Sequence, residues 1–309
     1  MSGNERRYGN SGFIYHQINC CTYLLYRLLS LFSSTIKQES KAAPLLITGL
    51  FRSGTTITAR LFEEMGYGSG PEDHLLEAKG ERKVLNPGGF LENYFFMDLS
   101  NYLFYKSKSW GDIPPSIEMV EKMKMEASDR HKMARFSIIT LHDDRISNFN
   151  KMKILAANNV GVPQDYLNRF FKGKSYIKNP HFGPLYGYFK KIFPYSPTVF
   201  VFREPVSAVN SAKAVSPFTD LNVYLSYYIQ AYNEHRNGNR NIVFLSYDNL
   251  VQDPKLSLDQ IQNYFKTNAD SESLTKLVNA PKKPVEKNEL PEKVSLVYNY
   301  MLQNSINKC

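Results

Sequence analysis

The sequence predicts an α/β fold of three layers, P-loop-like in plan, with a central parallel sheet flanked by helices. Short apolar strand signals recur at wide intervals with helical patterns between them, the rhythm of parallel strands joined by crossover helices. The stretch PLLITGLFRSGTTITARLFEEMG, residues 44–66, reads as a buried strand, a glycine-bounded turn and the start of a helix. With 309 residues and 42% hydrophobic content, the chain can bury a sizeable core.

Taken in chain order, residues 1–43 are expected to be an N-terminal helical extension. Their most apolar window, 14–32, is interrupted by His16, Gln17, Asn19, Thr22, Arg27 and Ser30, whereas a bilayer span wants about 20 mostly apolar residues. An amphipathic helix packed on the domain is favoured over one lying on a membrane surface. No small-residue cleavage site follows, so a secretory signal is not expected. Residues 44–309 read as a single domain, without a repeat or a linker. Strands are expected at 45–48, 175–178, 198–202 and 241–245. Residues 117–173 are helical by composition and form an insertion between the first two strands. The clearest helix runs over 220–235, where Leu221, Tyr224, Leu225, Tyr228, Ile229 and Tyr232 make one apolar stripe, expected to pack in the core. APKKPVEKNELPEKV reads as a proline-punctuated surface loop before a last helix at 294–302.

The formal charge of +9 favours anionic partners. Lysines come in pairs such as Lys190-Lys191 and Lys282-Lys283, interleaved with acids, and there is neither zinc-ligand spacing nor an RNP-type aromatic strand. Nucleic-acid binding is therefore not expected. Cys20 and Cys21 are adjacent and Cys309 is distant, which is no disulfide framework; a reducing, cytoplasmic location is expected.

The turn after the first strand carries the chemistry. A strand feeding a glycine-bounded turn into a helix points backbone N–H groups and the positive end of the helix dipole at one spot, where an anion fits. Gly49 and Gly54 permit close backbone approach, and Ser53, Thr55 and Thr56 add hydroxyl donors. The glycine spacing equals that of a Walker A loop, but Thr55 and Thr56 stand where that loop has Lys and Ser/Thr. The later strand ends in arginine where an Mg²⁺-holding acid would be sought, so a nucleotide or small-molecule kinase is the weaker alternative. In TVFVFREPVSAVNSA, Arg203 leaves the strand tip, Pro205 suits the first turn of the next helix and Ser211 follows about two turns in. An arginine and a serine so placed can reach one phosphate.

These segments together resemble those of sulfotransferases that use 3′-phosphoadenosine-5′-phosphosulfate (PAPS). LFRSGTT resembles the family's 5′-phosphosulfate loop, FREPVSAVNS its 3′-phosphate motif, and LSYDNLVQDPKLSLDQIQNYF its YEDL…DP strand and helix. NPGGFLEN, SWGDIPP and IKNPHF are similar to segments of bacterial sulfotransferase-domain proteins, the last also to a Lys-Asp-Pro element of tyrosylprotein sulfotransferases. The resemblance spans residues 44–265.

The resemblance implies in-line sulfuryl transfer to a hydroxyl or amine of a small metabolite or sugar, with PAPS as co-substrate and no metal. Arg52 would stabilise charge on the bridging oxygen, and Lys178 would reach the sulfuryl oxygens. Glu72 is the expected general base, with His74 the runner-up and His181 third. Glu92 would order a loop on the acceptor side. Arg52, Ser53, Gly54, Thr55 and Thr56 would hold the 5′ side, Arg203 and Ser211 the 3′-phosphate, and Tyr247 the adenine. The chain departs from the family pattern at Ile57, where cytosolic enzymes have an adenine-stacking tryptophan, at Asn179, where an aspartate is usual, and in lacking the C-terminal RKGxxGDWK element. Lys282, Lys283 and Lys287 are candidates to replace that element. A catalytically inactive, nucleotide-binding family member is the non-enzyme alternative.

Overall fold

Among the described residues four strands make one parallel sheet: β1 (Leu45–Thr48), β2 (Tyr176–Lys178), β3 (Thr198–Phe202) and β4 (Ile242–Ser246), in the order β2-β1-β3-β4. The computed structural model describes residues 43–76, 89–93, 96–97, 100, 104, 171, 173–278 and 289–308. The expected N-terminal extension, all but the end of the 117–173 insertion, the SWGDIPP segment and Lys282, Lys283 and Lys287 lie outside them.

The strands are apolar at nearly every position because both faces are covered, as parallel sheets require. Alternation along each strand sorts the side chains into two cores. Leu45, Ile47, Val199, Val201, Val243 and Leu245 pack with α1 (Thr55–Glu64) and, further along the chain, α6 (Pro254–Phe265) and α7 (Ser271–Leu277). Phe200, Phe202, Ile242 and Phe244 pack with α3 (Pro205–Ala212), α4 (Leu221–Arg236) and α8 (Glu292–Gln303). Helix, sheet and helix are the three layers expected. The short α2 (Tyr186–Ile192) precedes β3, and α5 (Tyr247–Gln252) follows β4 directly.

The apolar stripe of α4 is buried as expected, except that Leu221 is only partly covered, and Val223, Ser226, Tyr227 and Ala231 are buried beside it. After α8 the chain returns to the β4 edge, where buried Asn307 pairs with Ser246 through Oδ1 to N (2.9 Å) and Nδ2 to O (2.7 Å). A side-chain amide there stands in for the peptide of a further strand.

This topology fixes where function can sit. β1 is followed in sequence by β2 on one side, and the chain then crosses to β3 on the other. The order therefore reverses between β1 and β3, and the crevice at their C-terminal ends is where open parallel sheets bind ligands. The segments leaving β1, β2, β3 and β4 all start from that edge. Among the described residues no helix is long and apolar enough to cross a membrane.

Candidate active site

The turn between β1 and α1 is shaped by contacts that tolerate no side chain at two positions. A Cβ on Gly49 would lie 2.1 Å from the Val201 carbonyl oxygen, and one on Gly54 would lie 2.2 Å from Cδ2 of Tyr247. Gly49 has φ 152, Gly54 has φ 93 and Arg52 has φ 66, so three residues of the turn have positive φ and one of them is not glycine. Left-handed backbone at a bulky residue costs on the order of 1 kcal/mol and persists only when its surroundings impose it. Ser53 N donates to Leu50 O (3.1 Å), closing the turn. Helix α1 then starts at Thr55 with Gly54 as its N-cap and no side-chain cap, so its own N-cap side chain supplies no acceptor to the first-turn amides.

Strand β2 delivers Lys178 to the same place. Its side chain is 2% exposed, and Nζ donates to Thr56 Oγ1 (3.1 Å), Phe90 O (2.6 Å) and Glu92 Oε1 (2.5 Å). Burial lowers the Lys178 pKa, Glu92 opposes that shift and Arg52 adds to it. Breaking such a buried pair strands the remaining charge, so Glu92 and Lys178 hold each other. Glu92 thus orders its loop through Lys178 and through the bond from Leu76 N to Glu92 O (2.7 Å). Backbone bridges Leu75–Asn93 and Glu92–Lys178 tie the 89–93 segment to β2 on one side and to the residues after a 3-10 turn, Glu72–His74, on the other. Within that turn Glu72 is exposed and His74 is 4% exposed.

Asn179 explains its own departure from the family pattern. Its Nδ2 donates to Phe96 O (3.0 Å) and Ser100 Oγ (2.9 Å), bonds for which an ionised aspartate has no donor. Its Oδ1 accepts from His181 N (3.0 Å). His181 is buried edge-on between Phe51 of the turn (5.4 Å) and Phe104 (4.8 Å). Burial pushes its pKa down to about 4, and among the described residues its Nδ1 has no hydrogen-bond partner.

The third element is the β3–α3 corner. Tyr224 of α4 donates its hydroxyl to Arg203 O (3.0 Å), fixing the backbone from which the guanidinium projects. The guanidinium lies over the Tyr247 ring, 5.6 Å from its centroid, and its Nε is 3.7 Å from Asp248 Oδ1. Asp248 Oδ2 accepts from Glu204 N (2.7 Å). Burial raises the Asp248 pKa, a shift that this hydrogen bond and Arg203 oppose. Glu204 is itself the N-cap of α3, its carboxylate accepting from Val206 N (3.1 Å) and Ser207 N (2.6 Å). Ser211 lies in the last turn of α3, partly exposed.

Tyr247 joins the two halves. Its ring packs on Gly54 of the turn and faces the Arg203 guanidinium. Burial raises its pKa while Arg203 and Arg52 hold it back. The charge of Arg52 is thus felt at both Tyr247 and Lys178. The structure brings together Arg52, Ser53, Gly54, Thr55, Thr56, Lys178, Glu92, Arg203 and Tyr247 at one edge of the sheet. Glu72 and His74 join through the 89–93 segment, and His181 through Phe51.

Four contributors were given no site role from the sequence: Tyr224 and Tyr228, which lie outside the motifs, and Glu204 and Asp248, which lie within FREPVSAVNS and LSYDNL. Tyr228 Oη accepts from Leu50 N (2.9 Å) and donates to Val201 O (2.9 Å). Both tyrosines belong to the apolar stripe of α4, where a hydroxyl tip in place of leucine was the available signal. For Glu204 the signal was an acid just before a proline at a helix start. Asp248 gave none. Among the described residues no group of three or more His, Cys, Asp or Glu is placed to hold a metal ion.

The family model described as "Sulfotransferase family" matches residues 44–271. Among solved structures, sulfotransferase STF9 from Mycobacterium avium is similar at 12% identity and TM-score 0.42, over 90% of this chain and 80% of that one. Sulfotransferase STF1 from Mycobacterium tuberculosis H37Rv is similar at 15% identity and TM-score 0.36, over 83% and 77%. No curated protein matches the chain.

Proposed function

The chain belongs to the sulfotransferase family, and we propose that it moves a sulfuryl group from PAPS to a hydroxyl or amine of a small-molecule acceptor, a metabolite or carbohydrate. The observation that carries this reading is the Tyr247 ring, which touches the glycine turn on one side and the Arg203 guanidinium on the other. Two anion-binding elements on either side of one aromatic ring fit an adenosine bearing a 5′ and a 3′ substituent.

PAPS, when bound, supplies the sulfuryl group: its sulfur–oxygen bond to the 5′-phosphate breaks as the acceptor atom bonds sulfur. The first amides of α1, with Thr55 and Thr56, bind the 5′ side, and Arg52 neutralises charge on the leaving phosphate. Lys178, anchored by Glu92, orients the sulfuryl oxygens through the edge it shares with Thr56. Arg203 and Ser211 hold the 3′-phosphate by charge-assisted bonds. Tyr247 packs against the adenosine. Glu72 takes the acceptor proton as the new bond forms, with His74 behind it. Three cysteines, two of them adjacent in sequence, fit a reducing compartment such as the cytoplasm.

A thermal shift with adenosine 3′,5′-bisphosphate tests the donor site, and transfer of labelled sulfate from PAPS to fractionated metabolites tests the reaction. Absence of any shift at millimolar nucleotide would remove the donor reading. Glu72→Gln should lower kcat by about 10²-fold or more while leaving bisphosphate affinity intact; an unchanged kcat would take the proton-accepting part from Glu72.

A further inference from the structure

We propose that Tyr228, remote in sequence from the turn, is the positioning residue that shapes the 5′ side of the anion cradle. This rests on the PAPS reading of the site and adds to it a residue outside every motif. The Tyr228 side chain is fully buried, and its hydroxyl lies inside the closed end of the turn. It accepts from Leu50 N (2.9 Å), donates to Val201 O (2.9 Å) and stands 3.4 Å from Ser53 Oγ. Ser53 N donates back to Leu50 O (3.1 Å), so phenol and backbone close the same turn from two sides.

Val201 O is also the atom against which Gly49 packs. One hydroxyl therefore fixes the turn's first amide, its serine and the neighbouring strand tip together. Burial pushes the phenol up to about 12, so it keeps the proton it donates at neutral pH. Ser53 is fully buried, with its hydroxyl on the Tyr228 side. Arg52, next to it, holds φ 66, a conformation that needs its surroundings to impose it. Phenylalanine at 228 would leave Leu50 N–H without its acceptor. The turn would then relax toward ordinary backbone, taking the α1 amides off their aim.

Isothermal titration of wild type and Tyr228→Phe with adenosine 3′,5′-bisphosphate and with adenosine 3′-phosphate separates a positioning role from a merely structural one. Wild type should prefer the bisphosphate. The variant should lose about tenfold of that preference, ~1.4 kcal/mol, with its affinity for adenosine 3′-phosphate near wild type. An unchanged preference, or an equal loss for both nucleotides, would overturn the inference alone. A wild type without the preference would overturn the donor reading, and the inference with it. Amide exchange in the wild-type chain tests the same role without depending on the variant's folding: Leu50 N–H should be strongly protected, and exchange at the rate of an open loop would overturn the role of Tyr228.

Discussion

Two helices start at the C-terminal edge of neighbouring parallel strands, α1 after β1 and α3 after β3, and they treat their N-termini in opposite ways. Helix α3 satisfies its own amides with the Glu204 carboxylate. Helices α4, α5, α6 and α7 likewise use Asp220, Ser246, Asp253 and Asp270 as side-chain caps. Helix α1 has glycine at its N-cap, no side-chain cap and no acid in its first turn. The same strand-to-helix unit thus offers backbone donors at one end of the crevice and, at the other, closes them off and presents the Arg203 guanidinium instead. A phosphate at α1 would be met by a fixed dipole and amides, whereas one at α3 needs a side chain because the dipole is already used.

The largest effect on that contrast should come from Gly49→Ala, which forces a Cβ to 2.1 Å from Val201 O. Destabilisation of ~3 kcal/mol or more is expected, with loss of the bisphosphate thermal shift. A variant of wild-type Tm would show that the turn can move as a body.

Acid should loosen the α1 side next. His181, which packs on Phe51 of the turn, has a folded pKa of about 4 against an ordinary 6.5. Its unfolded form binds more protons below pH 6.5, so stability should hold above that pH and fall, on the order of 3 kcal/mol, as pH drops toward 4. Urea midpoints at stepped pH measure the slope, and His181→Phe should flatten it. An equal slope in both proteins would assign the acid sensitivity elsewhere.

Arg203→Ala should weaken adenosine 3′,5′-bisphosphate by ~1.5–3 kcal/mol and leave adenosine 5′-phosphate nearly unaffected, as read by titration. A loss for both nucleotides would mean that Arg203 serves the whole site rather than its 3′ end.

The smallest effect belongs to Glu204→Ala, which uncovers the α3 amides. A stability loss of ~1 kcal/mol is expected, seen as a lower Tm, with bisphosphate affinity close to wild type. A clear gain in affinity would show that α3, once uncapped, can act as α1 does.

The two elements proposed to hold phosphate were legible as structure because each is local. A glycine-bounded turn between an apolar strand and a helix, and an arginine at a strand tip followed by proline, are written in consecutive residues. The strands were legible for the same reason, through runs such as TVFVF that are apolar on both faces. Glu92 and Lys178 were both singled out, yet their pairing was not legible, since 86 residues separate them. Tyr228 was legible only as core: periodicity reports that a face is buried, without saying which atom its hydroxyl meets.

By itself, then, the sequence determined the parallel α/β plan, the glycine-bounded turn into α1 and the arginine at the β3 tip, because backbone geometry, capping and strand apolarity depend on near neighbours. Tertiary structure alone decided that Tyr247 lies against Gly54 and Arg203 together, that Lys178 meets Glu92 at the turn, and that a phenol from α4 closes it. Such contacts join residues on separate strands and helices, and their partners are chosen by strand order and packing, which no local pattern encodes.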